Sequence, residues 1–189
     1  MAWRTVLIAL VTFCLDRLVF VDETATYTHM HPRYGYARRG RRVVVRLKSR
    51  PTRYTLIGAM RIGAMLAPRV WPRAMTADDW VKWVIEDLIP ALKPGSIVIW
   101  DNLNIHYNQY AIDALEEAGH VVLFQSRYSP DLNPIEKAWS KIKILVRAMR
   151  PRGAADLRAA IAKAWLAITT SDIDGYFSCA IENAWEPAW

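Results

Sequence analysis

Three carboxylates stand where metal chemistry would need them. Asp22 follows the apolar run Val19-Phe20-Val21, Asp101 follows Ile97-Val98-Ile99-Trp100, and Glu136 closes Tyr128-Ser129-Pro130-Asp131-Leu132-Asn133-Pro134-Ile135-Glu136. Each has a plain alternative. An acid at a strand end can merely mark the chain leaving the core. Glu136 falls three places after Asn133, a good N-cap, with Pro134 at the first helical position, so it can serve as the acid of a capping box. Together the three point elsewhere. If two central strands bring Asp22 and Asp101 to one sheet edge, and a helix swings Glu136 toward them, three like charges repel and their pKa values rise. Divalent cations remove that penalty. An all-oxygen donor set selects a hard ion, Mg²⁺ or Mn²⁺. Two such ions ~3.5–4 Å apart activate an attacking oxygen and stabilise a leaving one.

The neighbours of these acids have expected roles too. Glu23 alternates to the opposite side of its strand, so it and Asp22 should not serve one metal. Burying Asp101 alone behind four apolar residues would cost on the order of several kcal/mol unless a cation or hydrogen bonds compensate. Asn102 is the expected orienting partner of Asp101, and His106 is close enough in sequence to lie near the site. The His29-x-His31 pair has no Cys or third His placed to complete a metal site.

The elements that must hold these residues follow from patterning. Leu18–Asp22 is an apolar run expected as a central strand. Residues 27–40 are rich in Gly, Pro, Arg and aromatics and should turn. Arg42–Lys48 and Tyr54–Ile62 are the next two expected strands. Thr76–Leu92 should be a helix burying Trp80, Trp83, Val84 and Leu88, capped by Thr76 with Asp79 at the third position. Ser96–Asp101 is apolar enough for a strand covered on both faces. Tyr110–Ala118 should be a helix stopped by Gly119, and His120–Phe124 a further buried strand. Asn133–Met149 carries the apolar stripe Ile135, Ala138, Trp139, Ile142, Val146 and Met149. Ala154–Ile168 and Ile173–Asn183 are the closing helices. The fold class is α/β, a mixed sheet covered by helices.

Charge separates along the chain. The net formal charge is +7, yet residues 24–77 hold twelve Lys/Arg and no Asp or Glu, leaving thirteen basic against eighteen acidic residues elsewhere. A positive segment just after Asp22 suits a polyanion such as nucleic acid. Cys14 and Cys179 are the two cysteines, with no Cys-x-x-Cys, so neither a zinc module nor a disulfide framework is indicated and a reducing cytoplasm fits. Val6–Leu15 is apolar but too short to span a bilayer. It lacks a small-residue cleavage site, so a buried helix or an irregular leader is expected.

The combination resembles the catalytic domain of DDE transposases, in the bacterial insertion-sequence branch of the Tc/mariner superfamily. The resemblance rests on Phe20-Val21-Asp22-Glu23, on Asp101-Asn102 with His106, on the stretch 128–136, and on the thirty-four residues between Asp101 and Glu136. Arg33-Tyr34-Gly35 and Arg39-Gly40 match the basic loop after the family's first strand. The resemblance implies an RNase H-like mixed five-stranded sheet flanked by helices over residues 17–189, with 1–16 as a leader or remnant segment. It implies that Asp22, Asp101 and Glu136 are the catalytic, metal-binding triad for two Mg²⁺ (or Mn²⁺) ions, Asp22 bridging them. The activity implied is cleavage of double-stranded DNA at transposon ends and strand transfer into target DNA, by a homodimer on the nucleoid, with no membrane role. Arg38, Arg39, Arg41 and Arg42 are the expected phosphate contacts, extended by Lys143 and Arg147 on the helix face that bears Glu136. Relatives carry helix-turn-helix domains before the first catalytic Asp, whereas 21 residues precede Asp22 here. The expectation is therefore a truncated copy or half of a split element, with recognition supplied by a separate helix-turn-helix protein or upstream frame product. The competing reading is a catalytically inactive DNA-binding remnant.

Overall fold

The computed structural model describes residues 2–32, 34–44, 50–126 and 129–185. Helix α1 (Ala2–Cys14) leads into β1 (Leu18–Tyr27), then β2 (Arg53–Arg61), β3 (Ala64–Trp71), α2 (Ala77–Trp83) and α3 (Ile89–Ala91). After these come β4 (Ile97–Trp100), α4 (Gln109–Glu117), β5 (Val121–Phe124), α5 (Ile135–Met149), α6 (Ala154–Leu166) and α7 (Thr170–Trp185). The strands form one mixed sheet in the order β3-β2-β1-β4-β5. The first three make an antiparallel meander, while β4 and β5 run parallel to β1.

The period-two alternation of β1 builds a core on each side of the sheet. Leu18 and Phe20 join Ile97, Ile99, Trp139, Ile142 and Phe177 under α5, α6 and α7. Val19 and Val21 join Val98, Trp100, Trp80, Trp83 and Leu115 under α2 and α4. β1 and β4 are thus covered on both faces, which is why their sequences are nearly all apolar. Helix α1 packs against α7 and sends Leu7 into the first core, while Val6 and Phe13 are exposed.

The expected capping box of Thr76 and Asp79 is formed, and Trp80, Trp83, Val84 and Leu88 are all buried. The helix widens to π geometry over Val84–Leu88 just before Pro90. A proline there can neither donate to the carbonyl four residues back nor avoid crowding it. Four of the expected α5 stripe residues after Ile135 are buried with it, but Met149 is exposed at the helix end.

Three expectations about strands are corrected. The first strand runs five residues past Asp22, to Tyr27. Residues 42–44 are exposed and unpaired in the sheet, and 45–48 of the expected Arg42–Lys48 strand lie outside the described residues. The place beside β2 belongs instead to β3, entered through a tight turn at Ile62-Gly63, with Gly63 at φ 76°. Pro68 hides that strand from a reading of propensity. It is tolerated because β3 is an edge strand with a register shift at this point, and Trp83 Nε1 donates to the displaced carbonyl of Ala67 at 2.9 Å. Lastly, β5 is the opposite edge and is only half-covered, with Val121 exposed. Among the described residues no helix is long and apolar enough to cross a membrane.

Candidate active site

Strand register brings the first two acids together. Phe20 pairs with Ile99 across the parallel β1–β4 contact. Two residues further on, the chains carry Asp22 and Asp101 to the same level of adjacent strands, which lie about 4.8 Å apart. Asp22 still belongs to β1, opposite Gly58 of β2, whereas Asp101 is the first residue beyond β4. Helix α5 packs across β1 and supplies the third acid. Trp139 Nε1 donates to Asp22 Oδ2 at 2.9 Å, and Glu136 sits one turn earlier on the same helix. Glu136 is exposed. The start of α5 has no side-chain cap, so the capping-box alternative for Glu136 is not realised. Asn133 Oδ1 accepts from the Ile135 N–H at 3.4 Å instead.

The electrostatics of the two aspartates differ. Burial, followed by the charges of Glu136 and Glu23, raises the proton affinity of Asp22 well above that of an ordinary carboxylate. The Glu23 backbone N–H, 2.9 Å from Oδ1, offsets part of this, and Asp101 adds a smaller repulsion. For Asp101 burial also raises the affinity, but a bond from His106 Nδ1 at 2.7 Å and one from the Leu103 N–H at 3.0 Å outweigh it, and its pKa is lowered.

His106 is the hub of the second side. It is fully buried, with its ring 4.1 Å from that of Trp80. Its other nitrogen, Nε2, faces Glu23 Oε2 at 3.4 Å. That separation is an ion-pair distance rather than a well-formed hydrogen bond. Burial lowers the imidazole's proton affinity, but Asp101 and Glu23 together outweigh it and raise its pKa to about 9. The ring is therefore an imidazolium at neutral pH, bridging two carboxylates from adjacent strands. Asn102 donates to the Gln125 carbonyl and accepts from Tyr107 Oη at 2.6 Å. It makes no hydrogen bond to the Asp101 carboxylate among the described residues; His106 does. Patterning gave no role to Glu23 and treated Trp139 as packing. The alternation placing Glu23 opposite Asp22 is the signal that it faces the core holding His106.

The donor set fits hard divalent cations. Asp22 gathers repulsion from Glu136, Glu23 and Asp101, the field such an ion would neutralise. Among the described residues no three acidic, His or Cys side chains stand close enough to hold an ion together, and the Asp101 carboxylate is bonded to His106.

The basic residues divide into two groups. Lys143 and Arg147 line a groove with Glu136, Trp139 and Tyr34. Arg38, Arg39, Arg41 and Arg42 are exposed on the preceding loop, around a turn closed by Arg41 N–H to the Arg38 carbonyl at 2.9 Å. None of those four lines the groove. Arg33, Arg127 and Tyr128 lie outside the described residues.

A family model described as DDE superfamily endonuclease matches residues 17–158, most of the chain and all three acids. The chain belongs to the DDE endonuclease superfamily. This DDE-family chain is also similar in fold to solved structures of Mos1 transposase. Against a Mos1 mariner paired-end complex with Mn, the TM-score is 0.82 at 18% identity, covering 97% of this chain and 58% of that one. Against a Mos1 paired-end complex with the left transposon end, the values are 0.80 and 17%, covering 97% and 58%. The isolated Mos1 catalytic domain gives 0.73 at 15% identity, with 100% of this chain and 93% of that one covered. The DDE-family chain thus has the RNase H-like fold of that catalytic domain and spans little more than half of the longer transposase chains. No curated protein matches it significantly.

Proposed function

We propose that this chain is the catalytic domain of a transposase, a metal-dependent endonuclease that cuts double-stranded DNA at transposon ends and joins the cut end to target DNA. What supports this reading is the match to the DDE endonuclease superfamily, together with Asp22 and Asp101 at one level of adjacent strands and the repulsion that Glu136 and Asp101 exert on the buried Asp22. The similar Mos1 structures are described as complexes with a transposon end and with Mn or Mg. Two ions, Mg²⁺ or Mn²⁺, would supply activation of the attacking oxygen and stabilisation of the leaving one.

The chain's own residues do the rest. Asp22 would hold both ions, and the Trp139 indole keeps its carboxylate fixed on the sheet edge. Asp101 and Glu136 would each hold one. For Asp101 this requires its carboxylate to turn from His106, which stays close enough to orient it. Asn102, tied to Gln125 and Tyr107, stiffens the turn that carries Asp101. Arg38, Arg39, Arg41, Arg42, Lys143 and Arg147 would contact phosphates, which positions the DNA without reading its sequence. The active form would be a homodimer that holds two ends.

Nicking of supercoiled plasmid by the purified protein in Mn²⁺ tests the assignment. Wild type should nick, EDTA should stop it, and Asp101→Ala should abolish it while DNA binding persists. Nicking by Asp101→Ala at the wild-type rate would refute the triad. Binding without nicking by the wild type would favour the inactive remnant.

A further inference from the structure

The groove beside Glu136 does not stop at the catalytic edge. A cavity of about 590 Å³ lies between α5 and the loop carrying Pro32 and Tyr34. A second, of about 530 Å³, opens at the C-terminal end of α5 and shares those two loop residues. Glu136, Ser140, Lys143 and Arg147 are spaced as one helical stripe, so they form one wall. The stripe is about 16 Å long at 1.5 Å per residue, room for a few nucleotides. The loop is held to the far end of that wall, where the His29 N–H donates to the Pro151 carbonyl at 2.9 Å.

Charge and surface change along this path. Among the described residues Glu136 is the only acid lining either cavity, at the catalytic end; Arg150, Arg152 and His31 line the other. His31 Nε2 is buried there with no hydrogen-bond partner among the described residues. Tyr34 borders both cavities and is 91% exposed. The lining between the cations is mainly apolar. A duplex keeps its base faces stacked inside and would offer such a wall sugar, phosphate and base edges but no face to stack on. An unpaired strand presents both phosphates and aromatic faces, which cations and an exposed ring match.

We propose that this groove binds an unpaired stretch of DNA strand leaving the catalytic edge, with Tyr34 stacking on a base and Arg150 and Arg152 holding a phosphate. The inference rests on the DNA-endonuclease reading and adds where one strand runs and what form it takes.

Fluorescence anisotropy in EDTA, where no cleavage occurs, tests it with a dye-labelled oligothymidine of about twenty nucleotides and a duplex of the same length. Tyr34→Ala should weaken single-strand binding about fivefold or more and leave duplex binding within about twofold, while Tyr34→Phe, which keeps the ring, binds like wild type. Arg150→Gln with Arg152→Gln should lower the dependence of single-strand affinity on salt by about 0.7 in log–log slope, one phosphate's worth. Three results would overturn the proposal: no single-strand binding by the wild type, wild-type single-strand affinity in Tyr34→Ala, or equal losses for both DNA forms. Plasmid nicking by the wild type separates the two levels. If it nicks while Tyr34→Ala binds normally, only the groove assignment fails; if it does not nick, the underlying reading fails as well.

Discussion

Asp22 is under opposing demands. A carboxylate buried beside three other acids destabilises the metal-free protein, and the same repulsion suits it to a cation. The sign of its pH dependence follows. Its pKa in the folded chain is raised well above the ordinary 3.8, so its stabilising contribution is complete below 3.8 and is lost as pH climbs through the raised value. Asp22→Asn removes that loss. In EDTA, urea unfolding at a series of pH values should show the variant gaining on wild type as pH rises above about 4, whatever their offset from changed hydrogen bonds. A constant gap would mean that Asp22 titrates like a surface acid. The three acids were legible as candidates from residue type and spacing. The His106 bridge between Asp101 and Glu23 was not, because it joins side chains from two strands and a following turn that only the sheet makes neighbours.

At the level of elements, β1 and β2 carry the site through a close approach that patterning shows only as a broken run. Gly58 lies opposite Asp22, and a Cβ added there would stand 2.4 Å from Trp165 Cη2. Gly58→Ala should therefore push α6 and β2 apart, costing about 1–3 kcal/mol in urea-measured stability and lowering nicking activity as the strand beside Asp22 moves. Unchanged stability would mean that Trp165 swings aside freely. Helices were the most legible elements, since a 3.6-residue apolar stripe with Thr76 at its cap leaves few alternatives. The β3 strand was the least, because Pro68 argues against a strand until the edge position and the register shift are known. A further cap escaped patterning: Thr169 and Asp172 hydrogen-bond reciprocally at the start of α7.

For the molecule as a whole, the charge asymmetry makes a prediction about DNA. Twelve basic residues without an acid between 24 and 77 should make binding fall steeply with salt. Replacing Arg38, Arg39, Arg41 and Arg42 by Gln should reduce the log–log salt slope for duplex DNA by up to about 3.6, at about 0.9 for each phosphate no longer neutralised. A slope unchanged in the quadruple variant would assign duplex binding to another surface. The same loop follows β1 and borders the α5 groove, so the arginines and Tyr34 are expected to act on different parts of one DNA path.

By itself the sequence determined the chemistry available to this protein: three oxygen-donor acids, a basic segment beside the first of them, and apolar periods that demand a mixed sheet under helices. These are local properties, carried by residue type and by spacings of two, three and four. Tertiary structure alone decided which strands flank β1, that His106 holds Asp101 while Trp139 holds Asp22, and that α5 shares a groove with Pro32 and Tyr34. Those relations depend on packing between segments far apart in the chain, where many pairings satisfy the same pattern and only the close fit of both cores selects one.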